Sequence, residues 1–350
     1  GGFTAADPTA ATHMYGEVQR MNIFRSTNAG VSASYIFQGI TDASSLNVNF
    51  IPFFMLDPNN ASVMLAGGRR LWRTTNVKAA TVAWTAIKAT IEPPGRPGGE
   101  EPPNSHYSEN SPYNISTLAV AQGSSDLIWV GYNNGQVWKT TNGTAAVPAW
   151  TRVDQSGPIP GRWVSKILVD PASSQRVYVT LLGYVSGNVW KTENAGTNWA
   201  NISGSGATAL PAVPVTSLAR HPQAPGRLYA GTDIGLFLSS DDGQAWAPID
   251  ATGGPGLAPV EQLFFKDAAT LVVVTHGRGV YYGTFALPSC YANCDESTQL
   301  PVLNVQDFSC FLGRYSAGEA YANCDESTTA PVLNVQDFGC FLTRYAAGCP

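Results

Sequence analysis

Cysteine is absent from the first 289 residues of this 350-residue chain. The six cysteines all lie in the last 61 residues: Cys290, Cys294, Cys310, Cys324, Cys340 and Cys349. An even, clustered set in a small segment is typical of disulfides formed in an oxidising compartment, so we expect a secreted, extracellular protein. No CxxC pair or nearby histidine accompanies them, which disfavours a zinc site.

Charged residues are also scarce, at 13% of the chain, and the net charge is −5 without a Lys/Arg cluster. There is no basic field to attract phosphates, so we expect no nucleic-acid partner. No apolar run reaches the roughly 18 residues that cross a bilayer, so we expect no membrane insertion. The start at Gly1, without Met or a signal-peptide pattern, indicates a processed or cut terminus.

Glycine (35) and proline (24) are abundant by contrast, which favours short strands joined by tight turns and a mostly β fold. Five segments share an aromatic residue, usually a cation, Ser or Thr, and an Asn or Asp two residues on. They are FRSTN (24–28), WRTTN (72–76), WKTTN (138–142), WKTEN (190–194) and FLSSD (237–241). Their starts lie 48, 66, 52 and 47 residues apart, which is the length of a propeller blade.

The copies at 192–199 and 239–246 resemble the Asp-box hairpin of sialidase-like, sortilin-like and xyloglucanase-like propellers, which implies a β-propeller over residues 1–287. Its acidic or amide side chain bonds turn backbone and its Trp packs between blades. We therefore expect a structural role for Asn28, Asn76, Asn142, Asn194 and Asp241. The unit count predicts five blades, with residues 15–38 and 260–285 sharing a closing blade.

Residues 291–318 align without gaps to 321–348, and 23 of the 28 positions are identical. In each copy, three oxygen-bearing side chains alternate and two more precede an apolar helical pattern. They are Asn293, Asp295, Ser297, Asn304 and Asp307, repeated as Asn323, Asp325, Ser327, Asn334 and Asp337. Hard cations bind six to eight oxygens, commonly with a carboxylate at the start of the exiting helix, so we expect a Ca²⁺ site in each copy.

These loop-helix units resemble a dockerin module, which implies a small C-terminal α-helical, EF-hand-like domain over residues 290–350. Three features depart from the standard loop. The first and last ligands are 14 residues apart where 11 is standard, the sixth position has no Gly, and Asn replaces the first Asp. Two carboxylates per loop predict affinity in the extracellular range. The alternative is a disulfide-stapled helical hairpin in which the Asn and Asp side chains only cap turns.

The cysteines allow 15 pairings. The simplest pairing joins each loop to its own helix, Cys294 to Cys310 and Cys324 to Cys340, and ties the ends of the module through Cys290 and Cys349.

A glycosidase would need two carboxylates flanking the scissile bond. The acids of the large domain include Glu17, Asp57, Glu109, Asp170, Asp233, Glu261 and Asp267. Asp57 and Asp170 sit in repeated D-P turns, so we expect turn roles for both. Asp233 and Glu261 are the remaining catalytic candidates. The glycines of the His276–Gly279 segment predict a close approach of two backbones.

An insertion at 91–114 explains the spacing of 66 residues, and His106, Tyr107, Glu109 and Tyr113 there are candidates to contact a sugar or a partner. Two functions remain open. The first is a binding or assembly protein, whose propeller recognises a glycan or protein and whose tail docks on a cohesin-like receptor or self-assembles. The second is a xyloglucanase-like glycoside hydrolase tethered by that tail.

Overall fold

The computed structural model describes residues 2–44, 48–91, 111–155, 159–224, 226–249, 252, 254–285, 290–297, 299, 301–325, 327–328 and 330–348. Within these ranges, six antiparallel sheets follow one another and form the blades of a six-bladed β-propeller. Two α-helices of the same ranges come after them. The predicted mostly β propeller with a small helical C-terminal segment is confirmed.

Each sheet takes its strands from consecutive chain, with neighbouring strands in sequence order. Sheet 1 comprises β1 (Thr4–Ala6), β2 (Met14–Glu17), β3 (Ile23–Ser26) and β4 (Ser34–Tyr35); sheet 2, β5 (Phe54–Asp57), β6 (Asn60–Gly67), β7 (Leu71–Thr74) and β8 (Thr85–Lys88); sheet 3, β9 (Ile115–Ala121), β10 (Ser124–Tyr132), β11 (Val137–Thr140) and β12 (Thr151–Arg152). Sheet 4 comprises β13 (Val164–Asp170), β14 (Ser173–Leu181), β15 (Val189–Thr192) and β16 (Ala200–Asn201); sheet 5, β17 (Val215–Arg220), β18 (Leu228–Thr232), β19 (Gly235–Ser239) and β20 (Ala247–Pro248); sheet 6, β21 (Val260–Phe265), β22 (Thr270–Thr275) and β23 (Gly279–Thr284).

The prediction of five blades with a shared closing blade is wrong. The N-terminal unit has its own first strand, β1, which pairs with β2 in the register Ala5 to Tyr15. Residues 260–284 form a separate three-stranded sheet, in which β22 pairs with both β21 and β23. The first strand could not be predicted from the sequence, because three residues are too few to show the alternation of apolar and polar side chains that marks a strand.

The glycine that recurs near the end of the second strand marks a close approach between blades. A methyl group on Gly131 would lie 2.6 Å from Cγ1 of Val164, at the start of the next blade. Gly67 stands in the same relation to Ile115, and Gly231 to Val260. Only a residue without a Cβ lets these strands approach so closely.

We call the five repeated Asn/Asp segments boxes. A tryptophan follows each of the last four boxes, and each of these tryptophans bonds to the preceding blade. The indole Nε1 donates to a backbone oxygen at or just after the fourth strand of that blade. The pairs are Trp84 to Ile36 (2.6 Å), Trp150 to Ile87 (3.0 Å), Trp199 to Val153 (2.8 Å) and Trp246 to Ile202 (2.9 Å). The same contact therefore recurs at four junctions.

The box cation reaches in the opposite direction, to the box loop of the following blade. Arg25 Nη1 donates to the backbone oxygens of Val77 and Ala79, at 2.6 and 2.8 Å. Arg73 makes the equivalent bonds to Gly143 and Ala145, and Lys139 Nζ donates to Ala195 at 2.6 Å. In the last boxed blade this position is Leu238, and the blade after it has no box.

The box Asn and Asp side chains organise their own turns. Oδ1 of Asn194 accepts from Thr192 Oγ1 at 2.9 Å and from the Asn198 amide at 2.8 Å. Asn28, Asn142 and Asp241 accept the equivalent hydroxyl bond, and Asn76 accepts from the Lys78 amide. These residues therefore have the structural role expected of them.

By packing, the chain divides into two compact units: Gly1–Leu218 with Gln244–Trp246, and Ala219–Gly243 with Ala247–Pro350. The first contains sheets 1 to 4, and the second contains sheet 6 and the helices. The helices are α1 (Val305–Ser316) and α2 (Val335–Ala347); short 3₁₀ turns span Gly206–Thr208 and Ala320–Ala322. No helix among the described residues is long and apolar enough to cross a membrane.

We expect Trp199→Phe to lower the free energy of unfolding by about 1 to 3 kcal/mol, because it leaves the buried carbonyl of Val153 without its donor. Urea unfolding measures the change. Trp163→Phe is the matched control, since Trp163 is half-buried and its indole makes no hydrogen bond to a described residue. Equal costs for the two variants would show that the bond between blades contributes nothing.

Candidate functional site

The C-terminal repeat places one aspartate at the third position of each helix. Asn304 is the N-cap of α1, and its side chain accepts from the Gln306 amide at 2.8 Å. Oδ2 of Asp307 accepts from the Asn304 amide at 2.8 Å, which completes a capping box. Asn334, Gln336 and Asp337 repeat this geometry in α2. Both aspartates are fully buried.

The loop before α1 brings a second carboxylate to Asp307. Oδ1 of Asp307 accepts from the Asp295 amide at 3.4 Å, and the Asp295 side chain lies beside it in hydrogen-bonding contact. Burial, together with the neighbouring Asp295 charge, raises the pKa of Asp307. Two carboxylates held this close repel one another unless a proton or a cation lies between them.

The second loop pairs Asp325 with Asp337 in the same way, and the Asp325 amide donates to Asp337 at 3.3 Å. Burial acts to raise the pKa of Asp337. Hydrogen bonds from the backbone of Asn334, Asp325 and Cys324 outweigh this effect and hold it below its usual range.

An amide oxygen of the first loop has no hydrogen-bond partner among the described residues. Asn293 donates through Nδ2 to the Ser297 carbonyl at 3.0 Å, while its buried Oδ1 accepts from none of them. In the second loop, Asn323 makes the same Nδ2 bond to Ser327, but its Oδ1 accepts from the Ser327 amide at 3.1 Å. A buried oxygen without a hydrogen-bond donor, in the same loop as two adjoining carboxylates, gives oxygen ligands of the kind that a hard cation binds.

The predicted ligands are thus brought together in part. Asp295 and Asp307 meet, Asn293 has a spare oxygen, and the oxygen of Asn304 is already used as the cap. Ser297 Oγ accepts from the Gln299 amide at 3.3 Å. Within the described ranges, no three His, Cys, Asp or Glu side chains are grouped as a metal site, so carboxylates alone would not complete a coordination shell.

Disulfides join each loop to the helix that follows it, in the pairing that the repeat predicts. Cys294 is bonded to Cys310 and Cys324 to Cys340. Cys349 lies outside the described residues. The helices pack through Phe311 and Phe341, whose stacked rings are 4.2 Å apart.

Each helix also carries an exposed apolar stripe on the side away from this core. Val305 and Leu312 on α1 are 69% and 37% exposed, and Val335 and Leu342 on α2 are 80% and 50% exposed. Residues seven apart lie on one helical face, so the duplication yields two equivalent stripes.

The acids of the propeller turns are occupied by local bonds. Asp57 Oδ1 accepts from the Asn59 amide at 2.8 Å, and Asp170 accepts from the Ala172 amide at 2.9 Å, as predicted. Asp267 makes the same turn bond to Ala269. Glu17 is 3% exposed, and burial raises its pKa to about 8.

The two catalytic candidates lie in different settings. Asp233 is half-buried in the turn between β18 and β19. Glu261 on β21 is exposed, and its carboxylate is 3.4 Å from Nδ1 of His276.

The expected close backbone approach at Gly277 and Gly279 is wrong, since both face open space. They take positive φ in the β22–β23 hairpin. Of the insertion residues, His106, Tyr107 and Glu109 lie outside the described residues, and Tyr113 packs against the core.

A cavity of about 450 Å³ lies between the second and third blades. Its lining comes from β8 and the residues after it, and from β11 and β12. The lining residues are Lys88, Ala89, Thr90, Ile91, Gln136, Trp138, Trp150 and Arg152. This volume is typical of small-ligand pockets.

Lys88 lies among three aromatic rings at this cavity. Its Nζ is 4.1 Å from the ring centre of Trp138, 5.3 Å from Tyr132 and 5.5 Å from Trp150. Lys88 is 6% exposed, and burial lowers its pKa to about 8. The sequence analysis missed this site because its residues come from two blades.

No family model and no curated protein matches the chain. Among solved structures, an ancestral GH74 enzyme matches with a TM-score of 0.58 and 19% identity, over 83% of this chain and 37% of its own. The WD40 repeats of RRP9 match with a TM-score of 0.51 and 9% identity, over 80% and 74%. The Cps50 (Swd1) β-propeller domain of Myceliophteria thermophila matches with 0.51 and 8%, over 79% and 81%. These likenesses establish the propeller fold, and the chain spans 37% of the length of the GH74 enzyme.

We expect Lys88→Met to be more stable than the wild type at pH 7, by at most about 3 kcal/mol. The folded pKa of Lys88 is about 8 and the unfolded value is near 10.4, so the unfolded chain binds more protons between them. The destabilising effect of Lys88 is therefore complete below pH 8 and disappears as the pH approaches about 10.4.

Urea unfolding at pH 7, 9 and 10.5 measures this difference, with Lys266→Met as the control because Lys266 is exposed. A constant difference between the wild type and Lys88→Met across the series would contradict the lowered pKa.

Proposed function

We propose that this is a secreted, calcium-binding modular protein. Its propeller recognises a glycan or a protein, and its dockerin-like tail docks it on an extracellular complex, surface or fibre. The observation that carries the proposal is that an aspartate of each loop meets the aspartate at the start of the following helix, and that a disulfide joins the same loop to that helix.

The chemistry of the first loop supports calcium over capping alone. A capping role accounts for Asn304, for both oxygens of Asp307 and for Oδ1 of Asp295, which accepts from the Ser297 amide at 2.9 Å. It does not account for the close approach of the two carboxylates, or for the buried oxygen of Asn293, which accepts no hydrogen bond from a described residue. A bound Ca²⁺ would neutralise the two carboxylates and accept that oxygen as a ligand.

Residues 292–297 would hold the ion from one side and Asp307 from the other. The disulfide between Cys294 and Cys310 constrains the loop against the helix before any ion arrives, so less conformational entropy is lost on binding. The extra length of the loop and its two carboxylates agree with a weak, extracellular-range site.

For the propeller we propose glycan binding in preference to hydrolysis. The aromatic-lined cavity and the fold shared with a GH74 enzyme support a carbohydrate ligand. Hydrolysis needs a carboxylate pair about 5 to 10 Å apart. Asp57, Asp170 and Asp267 are bonded to turn backbone, and Glu261 is paired with His276.

The exposed stripes support docking through the tail. Burial of water-exposed apolar surface by a partner lowers the free energy, so each stripe is a candidate surface for a partner. Either stripe offers the same side-chain types at the same spacing, so a cohesin-like receptor, or a second copy of the chain, could use either helix.

We expect the chain to bind two Ca²⁺ ions with Kd values of about 10⁻⁴ to 10⁻³ M. Asp307→Asn and Asp337→Asn should each remove one ion, because each loses a buried ligand oxygen charge. Isothermal titration with calcium counts the sites, and Glu319→Gln, an exposed acid between the two units, is the matched control.

Thermal unfolding gives a second readout. At 10 mM Ca²⁺, each occupied site should add about 1.4 to 2.7 kcal/mol relative to EGTA. Identical unfolding curves in calcium and EGTA, with no binding heat, would leave the helical hairpin with capped turns as the correct description.

We expect an immobilised cohesin domain to retain the chain in calcium and to release it in EGTA. Leu312→Asp and Leu342→Asp together should abolish retention because both stripes then carry a charge, whereas either change alone should leave it. Val147→Asp, at a side chain 87% exposed on the propeller, is the control. Failure across a panel of cohesins, with a single monomeric peak at all concentrations in size exclusion, would contradict docking by this tail.

A further inference from the structure

Among the described residues, the cavity between the second and third blades carries a positive charge that no carboxylate pairs with. Its cations are Lys88 and Arg152. Arg152 is paired with Asp154, through Nε at 3.0 Å and Nη2 at 2.8 Å. Asp154 also accepts from the Val137 amide at 2.9 Å. Lys88 has no carboxylate partner among the described residues, and a buried charge without a partner is costly.

The side chains of Lys88, Gln136 and Arg152 each present a hydrogen-bond donor at this cavity. Trp138 Nε1 donates to Gln136 Oε1 at 2.9 Å, and because an indole can only donate, this bond fixes the amide oxygen toward Trp138. The amide nitrogen of Gln136 is left to donate elsewhere. Nη1 of Arg152 makes no hydrogen bond to a described residue, and Lys88 Nζ lies near three aromatic rings without a carboxylate partner among the described residues. Such a set is complementary to a ligand rich in acceptors.

The walls are rigid and flat. The indole nitrogen of Trp150 donates to the Ile87 carbonyl at 3.0 Å, and that of Trp138 is used by Gln136, so both rings are held in place. A fixed indole face that borders a cavity offers apolar surface for the C–H face of a sugar ring, while the donors contact its oxygens.

We propose that this cavity binds a sugar residue that carries a carboxylate, such as a uronic acid unit of a polysaccharide. The ring packs against Trp138 and Trp150, and the carboxylate accepts charge-assisted hydrogen bonds from Lys88 and Arg152. This inference rests on the proposed glycan recognition by the propeller, and it adds the site and the ligand class.

The test compares trimers of galacturonate, glucuronate and mannuronate with their methyl esters, which keep the ring and remove the charge. We expect the full chain to bind at least one acidic trimer about tenfold or more tightly than its ester in isothermal titration. Lys88→Met should lose about the same factor, because it keeps the stem of the side chain and removes the ammonium. Trp138→Leu should weaken the acidic trimer and its ester alike.

Lys166→Met is the matched control, since Lys166 also lies near a ring, 5.8 Å from Phe53, but outside the cavity. Equal affinity for acid and ester, or equal loss in Lys88→Met and Lys166→Met, would overturn the cavity assignment. Binding of neutral glycans alone on an array would overturn it and leave the propeller a glycan binder. Binding of neither class would overturn both proposals.

Discussion

The propeller depends on polar contacts between consecutive blades, which cross four junctions, three of them in both directions. A tryptophan donates backward to the preceding blade, and a cation donates forward to the next box loop, as Trp199 and Lys139 do. Backbone carbonyls at such junctions are buried and would otherwise lack donors, a cost of about 1 to 3 kcal/mol each. Apolar packing alone would allow neighbouring sheets to slide, whereas two fixed hydrogen bonds set their register. Each box therefore forms a turn within its own blade and also supplies hydrogen bonds that join it to a neighbouring blade.

This constraint explains which parts of the fold could be predicted from sequence. These hydrogen bonds need the same side chains at each of these junctions, so the pattern repeats visibly, and the box positions and blade lengths follow from it. The blade count failed at the two ends of the propeller, where a unit looked incomplete in the sequence. Sheet 1 has the repeated segment, but its first strand, Thr4–Ala6, is only three residues long, and sheet 6 lacks the repeated segment. The glycine before each close approach was visible, but its partner, as with Gly131 and Val164, depends on packing between blades.

Of the two candidate sites, the loops of the C-terminal repeat could be predicted from the sequence, and the cavity in the propeller could not. The loop oxygens lie within fifteen residues of one another, so alternation and duplication reveal them, and Asp295 and Asp307 do meet. Sequence could not show that Asn304 commits its oxygen to the helix cap. The cavity around Lys88 gave no signal at all, because the lysine ends β8 and its aromatic neighbours follow about 50 residues later in another blade. A site built across a junction is invisible to any reading that considers one blade at a time.

At both candidate sites, hydrogen bonds or disulfides hold the residues in place before a ligand binds. Two of the rings around the buried Lys88, those of Trp138 and Trp150, are each held by a hydrogen bond, and Trp150 is one of the tryptophans that bond across a junction between blades. The bond that fixes the third blade against the second therefore also fixes one wall of the cavity. A ligand that fits this wall loses little free energy to ordering the protein, since folding has already ordered it. The same reasoning applies to the tail, where a disulfide constrains each loop, so in both places the fold would supply the preorganisation and the proposed ligand would supply the opposite charge.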